Sequence, residues 1–353
     1  AIKPDFVEAH NNIGLTLQKQ GKYEEATVSF NKAISLNPNF NEPRYNLSYL
    51  QLTRENFIEG WENHEHRKAK NILFKKLNLK NEKIWNGKKF NGKLLVLGEQ
   101  GLGDQILFSS MLNDLLNIQK DITVTVEERL LSLLKRSFKK ITFLSDKSKL
   151  DLENFDKYIF LGSLGKFFRK SIKSFPKNQK PFLTPDLTTL NKIKNYLGNK
   201  PLKKIGLSWQ TSSPNNRMGR NIPLKIFEPI LKLNEYRFID LQYGDTTLER
   251  SSVKNTYGTE IIHINNLNYK DDIEELVGLV TECDLVITIP NFTTQLAGAL
   301  GVPVFVLLPF ASDWRWFLNR SDSPWYPNIK LFRQKRFEEW TSVINKVYKN
   351  LIH

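Results

Sequence analysis

A chain of 353 residues, 40% hydrophobic and 12% aromatic, can bury more than one sizeable core, so a soluble globular protein of two or three domains is expected. No stretch approaches the roughly 18 to 20 consecutive apolar residues of a membrane helix, and Ala1-Ile2-Lys3-Pro4-Asp5 has no signal-peptide core, which points to the cytoplasm, at most peripheral at the inner membrane face. The formal charge of +15 would suit nucleic acid or a phosphate-bearing substrate, but the lysines are scattered among Asn and Ile and no basic-aromatic array accompanies them, so no nucleic-acid partner is expected.

From the front of the chain, Pro4-Asp5-Phe6 is echoed by Pro38-Asn39-Phe40, a period of 34 residues. Within it, Ile13-Gly14, Leu17, Gly21, Tyr23, Ala26, Phe30, Ala33 and Pro38 stand where two antiparallel helices need them. Small residues permit close approach, large ones fill the groove, and Pro38 ends the second helix. Over residues 5–40 the chain resembles the tetratricopeptide repeat family. A second unit keeps Asn46-Leu47 but has Ser48 in place of Gly14, Gly60 in place of Ala26, and no closing proline, as in a degenerate terminal repeat. Such units bury their apolar faces by stacking, usually about three or more together, so one full and one degenerate repeat over residues 1–70 must lean on the next domain or continue an array upstream. A protein-binding platform and a structural cap are both open. His64 and His66 are expected to be solvated or capping, and with His10 and His263 they lack the Cys or carboxylate spacing of a metal site.

Residues 71–92, rich in Lys and Asn, read as a linker. Leu94-Leu95-Val96-Leu97 then has the continuous apolar character of a strand buried in a parallel sheet. Gly98-Glu99-Gln100-Gly101-Leu102-Gly103-Asp104 follows as a Gly-rich turn and leads into one helix with Ile106, Leu107, Met111, Leu112, Leu115 and Leu116 on a single stripe. Strands at 122–126, 141–144 and 158–161 alternate with a helix at 129–138, giving a Rossmann-like domain over residues 93–200. The turn fails the dinucleotide spacing, because Ile106 stands three residues beyond Gly103, so a nicotinamide or flavin is disfavoured and no cofactor is expected. Asp104 falls in the first helix turn above the end of a strand. Local physics favours a cap or dipole partner; the alternative is a carboxylate that takes a proton from an acceptor hydroxyl.

A polar helix at 187–197 and a break at 198–201 introduce a second α/β domain, residues 201–335. Its strands are expected at 204–209, 237–241, 261–264, 285–289 and 304–308, with helices at 224–233 and 273–281. Two such domains imply a cleft with ligands at the carboxyl ends of the strands. Cys283, the single cysteine, is read as core. After Ile289 comes Pro290-Asn291-Phe292-Thr293-Thr294-Gln295-Leu296-Ala297-Gly298-Ala299-Leu300-Gly301, where Thr293 and Thr294 begin a short helix whose amides suit a diphosphate; an ordinary capped crossover is the other reading. The Trp314-Arg315-Trp316 and Trp325-Tyr326 cluster is expected to pack beneath a closing amphipathic helix over residues 336–353, in preference to an aromatic wall with Arg315 on phosphate.

Taken in order, the turn at 98–104, Gly206-Leu207-Ser208-Trp209, Arg220-Asn221-Ile222-Pro223, Leu241-Gln242-Tyr243-Gly244, Leu296-Ala297-Gly298-Ala299-Leu300-Gly301, Asp313-Trp314-Arg315-Trp316, Ser323-Pro324-Trp325-Tyr326-Pro327 and Leu331-Phe332-Arg333-Gln334 resemble the tetratricopeptide-fused branch of the heptosyltransferase-like, family 9-like glycosyltransferases. The resemblance implies a GT-B fold and metal-independent, inverting transfer from a nucleotide-diphosphate sugar to a glycan or protein acceptor, with a protein partner on the repeat. It implies Asp104 as general base, Gly101 and Gly103 in the acceptor-side loop, Arg220 at the leaving diphosphate, and Asn291, Thr293, Thr294 and Gln295 in the donor-phosphate loop. Ser208, Gln210 and Gln242 follow strand ends and either touch phosphate or nucleoside or serve the turns. Many relatives carry Asp where Pro290 stands and His where Gln295 stands. That departure motivates the rival reading, an adaptor with a catalytically inactive GT-B domain.

Overall fold

The computed structural model describes residues 6–352 except 199, 212–218, 266, 270 and 338, so Pro4 and Asp5 of the repeat lie outside the described residues. Along the chain come α1 (Val7–Lys19), α2 (Tyr23–Leu36), α3 (Asn41–Thr53), α4 (Phe57–His64) and α5 (Lys68–Lys76), then β1 (Leu94–Leu97), α6 (Leu102–Ser109), α7 (Leu112–Ile118), β2 (Ile122–Val126), α8 (Leu131–Ser137), β3 (Thr142–Ser145), β4 (Lys157–Phe160) and α9 (Gly165–Phe168). The rest comprises α10 (Leu187–Leu197), β5 (Lys203–Ser208), α11 (Glu228–Leu231), β6 (Tyr236–Asp240), α12 (Thr247–Tyr257), β7 (Ile261–Ile262), α13 (Ile273–Thr281), β8 (Leu285–Thr288), α14 (Phe292–Leu300), β9 (Val304–Leu308), β10 (Ile329–Arg333) and α15 (Thr341–Ile352). Among the described residues no helix is long and apolar enough to cross a membrane.

Packing divides the chain into two units. The first takes residues 1–128, 139–177 and 311–320. Its helices start as the repeat pattern requires: Ala26 and Phe30 of α2 and Leu47 and Leu50 of α3 form a common core. A Cβ on Gly14 would lie 2.5 Å from the Phe30 ring, which explains the small residue there. The expected linker is not bare. Leu73 and Phe74 of α5 and Leu77 pack on Leu79, Leu95, Leu97 and Phe160, an apolar face hidden among lysines. Beyond it Ile84 bridges Tyr158, and the Trp85 amide donates to the Tyr158 carbonyl at 2.8 Å, extending the sheet edge. The sheet is parallel throughout, in the order β3-β2-β1-β4. The single helix expected after the Gly-rich turn is broken into α6 and α7. The Ser109 hydroxyl donates to the Gln105 carbonyl at 2.7 Å and that of Ser110 to the Leu107 carbonyl at 2.6 Å, local bonds that compete with the helix ladder.

The second unit takes residues 129–138, 178–310 and 321–353, so α8 belongs here rather than in the domain expected over 93–200, and 311–320 leave the domain expected over 201–335. Arg136 of α8 donates to the Thr184 carbonyl at 2.8 Å and pairs with Glu274 of α13 at 2.6 Å. Six parallel strands run β10-β9-β8-β5-β6-β7. Ile205, Leu207, Ile287 and Leu307 build the core with Trp340 and with Val343, Ile344 and Val347, the buried stripe of α15. The helix expected at 224–233 is a 3-10 turn, 224–227, followed by α11, with Pro223 and Pro229 flanking the change. Cys283 is core: burial pushes its thiol up to about 12.

Candidate active site

In the first unit, the site grows from the end of β1. A Cβ on Gly98 would stand 2.5 Å from the Thr125 carbonyl oxygen, so only glycine lets the chain turn there. Gln105 then clamps the turn: its Nε2 donates to the Gln100 carbonyl at 2.7 Å and its Oε1 accepts from the Glu127 amide at 2.9 Å. Gly101 is the exposed N-cap of α6 and offers no side chain to the helix, while Gly103 is half-buried in the first turn. Asp104 sits in that turn yet caps nothing. Its Oδ1 accepts from Nη2 of Arg315, and its Oδ2 makes no hydrogen bond among the described residues.

Arg315 comes from the 3-10 turn 314–316, held by Asp313, whose Oδ1 accepts from the Arg315 amide at 3.1 Å and from its Nη1 at 2.5 Å. The guanidinium lies 4.5 Å over the Trp314 ring, and Trp314 packs on Trp61 at 5.4 Å and stacks with Phe108 of α6 at 6.3 Å. For Trp314 this corrects the expectation of packing beneath the closing helix, because its aromatic partners come from the repeat and from α6. Above the cluster, Tyr45 and Tyr49 of α3 share a hydrogen bond of 3.1 Å between their hydroxyls. Burial pushes the Asp104 carboxyl above the ordinary carboxylate range, Arg315 pulls it back, and Asp313 opposes Arg315. The result is a carboxylate more basic than usual with one oxygen unengaged.

Two features of this unit have no local sequence signal. His64 is neither solvated nor capping: it is fully buried among Tyr45, Trp61, Phe108 and Trp314, with both ring nitrogens unpartnered, and burial, with Arg67 nearby, lowers its pKa well below the usual value. His66 instead bonds the Asn41 side chain at 2.7 Å. Arg67, after α4, is buried against Glu99 at 2.6 Å and Glu65 at 2.9 Å and donates to Ser163 at 2.9 Å. The repeat therefore packs as a structural cap against the segment that follows β1: Glu99 belongs to the same turn as Asp104, and Nε1 of Trp61 donates to the Arg169 carbonyl at 2.7 Å.

In the second unit, most of the remaining sequence-derived residues gather at the ends of β5, β6 and β8. Oε1 of Gln242 accepts from the Ser208 hydroxyl at 3.2 Å and from the amides of Trp209 and Gln210 at 3.1 and 2.9 Å. Asn291 donates to Ser208 at 2.8 Å, and its Oδ1 accepts from the Thr294 amide at 3.2 Å, forming a capping box with the Thr294 side chain at the start of α14. Ser208, Gln242 and Asn291 thus spend their bonds inside the protein, where they fasten one strand end to another. Gln210 turns away to Glu249, both contacts at 3.0 Å, and Gln295 accepts from the Tyr326 hydroxyl at 2.9 Å. Arg220 reaches the turn, donating to the Pro290 carbonyl at 3.2 Å. Thr293 differs from all of these. Its hydroxyl is buried at the first turn of α14 with no partner among the described residues. Gly301, at φ 80°, ends α14 in the left-handed conformation. A polar cluster that sequence reading missed lies at the end of β6, where buried Asp240 collects His263 at 2.9 Å and Thr246 at 2.6 Å.

Comparison with known proteins agrees with this architecture. The tetratricopeptide repeat family matches residues 7–40. A glycosyl transferase family 9 structure from Veillonella parvula superposes with a TM-score of 0.51 at 13% identity, covering 75% of this chain and 97% of its own. ADP-heptose LPS heptosyltransferase II of E. coli gives 0.52 at 12% identity, covering 74% and 97%. Protein FlbA of Caulobacter vibrioides is 29% identical over 98% of this chain, which spans about three fifths of that relative, 61% of its length. The fold is a helical tetratricopeptide segment followed by the parallel α/β architecture of the GT-B heptosyltransferases.

Proposed function

We propose that the chain is an inverting glycosyltransferase, with the first unit supplying the general base and the second holding a nucleotide-diphosphate sugar. The observation that carries this reading is Asp104, a carboxylate of raised basicity with Oδ1 fixed on Arg315 and Oδ2 unengaged. In the proposed reaction Oδ2 takes the proton of an acceptor hydroxyl as the hydroxyl oxygen attacks the anomeric carbon from the face opposite the leaving group. The glycosidic bond to the donor breaks and its electron pair departs with the diphosphate. Charge building there is met by the amides of Phe292 and Thr293, which the capping box leaves free, by the unpartnered Thr293 hydroxyl and by Arg220. No cofactor is required in this scheme. The acceptor is a glycan or a protein side chain, and the repeat is suited to present or recruit a protein partner.

The rival reading is an adaptor that has lost catalysis. It is favoured by Pro290, which has no amide proton at the donor turn, and by Gln295, whose carbonyl is occupied by Tyr326. A thermal-shift screen across ADP-, GDP-, UDP-, CMP- and dTDP-sugars separates the two. Transfer requires stabilisation by at least one donor and consumption of it; Asp104→Asn is expected to cut turnover by about 10²- to 10⁴-fold while leaving the stabilisation intact. No consumption with any donor, together with a polypeptide partner lost on deletion of residues 5–57, would favour the adaptor.

A further inference from the structure

We propose that Arg315 is a positioning residue for Asp104, anchored by Asp313 so that it holds the ionised carboxylate more strongly than the acid, fixes Oδ1 and presents Oδ2. The inference rests on Asp104 being the base, and adds how that base is held. An arginine has no other protonation state and no acceptor atom, so the pairing favours the charged form of its partner and excludes a proton from Oδ1. Asp313 fixes the arginine twice, through its backbone amide and through Nη1. The backbone leaving this turn is itself constrained: Phe317 has φ 53°, a left-handed conformation that bulky residues rarely adopt, and the fully buried ring sits 5.9 Å from Phe57 and 6.3 Å from Phe175.

The charged and titratable groups around Asp104 come from three elements. The 3-10 turn brings Arg315 and Asp313, α3 brings Tyr45 and Tyr49, and the segment after α4 brings Arg67, which Glu99 and Glu65 already neutralise. Asp313 and Asp104 therefore compete for one arginine, and the two sides of that competition can be removed separately. Taking away Arg315 leaves Asp104 half-buried beside another carboxylate, which disfavours its ionisation. Neutralising Asp313 concentrates the arginine on Asp104, which favours it.

The test uses full-length protein with aspartate labelled at the carboxyl carbon, the Asp104 signal being identified by its absence in Asp104→Asn. Its titration midpoint is followed by carbon NMR without substrate. Arg315→Gln is expected to raise the midpoint by about one pH unit or more, Asp313→Asn to lower it, and Arg315→Lys to keep most of the wild-type value. In the transfer assay the acid limb of the kcat profile should move in the same directions, with kcat falling in Arg315→Gln while donor KM changes little. An unmoved midpoint in folded Arg315→Gln and Asp313→Asn overturns the proposal, as does an Arg315→Gln that raises donor KM alone. Where Arg315→Gln does not fold, a midpoint that Asp313→Asn fails to lower overturns it equally. Because the midpoint is read without turnover, a wild-type protein that consumes no donor sinks the transferase reading while these shifts still decide the role of Arg315.

Discussion

Two threonines one position apart have opposite assignments. Thr294 closes the capping box of α14, so Thr294→Ala is expected to cost stability, about 1 kcal/mol, measurable by urea denaturation. Thr293 has a buried hydroxyl without a partner, so Thr293→Val should leave stability level or higher while weakening donor binding by several-fold, read by isothermal titration. A donor affinity unchanged by Thr293→Val would remove that hydroxyl from the phosphate site. The sequence named both residues through a local motif and could not separate them, because the difference lies in which hydroxyl the turn consumes. For Asp104 it offered a base but not its holder. Arg315 is 211 positions away, and no periodicity or spacing rule links residues at that distance. Arg67 was equally hidden as one cation among many, with Glu99 placed 32 positions on by the fold.

At the level of elements, regular apolar runs were read well. The strands at 122–126 and 304–308 and the helices at 187–197 and 273–281 coincide with β2, β9, α10 and α13. Weakly amphipathic elements are not legible in this way: α12 buries only Val253, so no stripe marks it, and β10 covers a motif at 331–333 that carries no strand expectation. The junction of α4 with the sheet carries two pH dependences of opposite origin. His64 is held well below its usual pKa by burial, so the unfolded chain takes up the proton first, and stability is lost as pH falls below about 6.5. His64→Phe should flatten that part of a urea-midpoint profile between pH 7.5 and 5. Burial pushes Glu65 up, but Arg67, Lys70 and Ser163 outweigh it and hold it at about 2. Its contribution is present above the usual carboxylate range and drains away from about 4.5 down to about 2, so Glu65→Gln should blunt the acid limb of the same profile.

Across the whole molecule, the alternation of helices and strands announced two α/β units, whereas the exchange of short segments between them is a matter of tertiary packing that no propensity encodes. The repeat is part of the first unit's fold: Trp61 lies 2.6 Å from where a Cβ on Gly165 would stand, leaving no space for a larger residue. A fragment of residues 1–200 contains every strand of the first sheet but lacks 311–320, so Trp61 and Phe108 lose the Trp314 ring that covers them. It is expected to show lowered thermal stability and dye-accessible apolar surface, both relieved in the full chain. A fragment as stable as the full protein would mean that the 3-10 turn is dispensable to the first unit.

The placement of 311–320 in the first unit also sets an order of events during synthesis. A ribosome delivers Asp104 early, but its arginine emerges only after five of the second sheet's six strands have been made. Until then the aspartate of a nascent chain has no cation on its Oδ1. Completion of the Asp104–Arg315 pair is in this way tied to completion of most of the second sheet, and a polypeptide truncated between Asp104 and Arg315 carries the acid without its counter-ion.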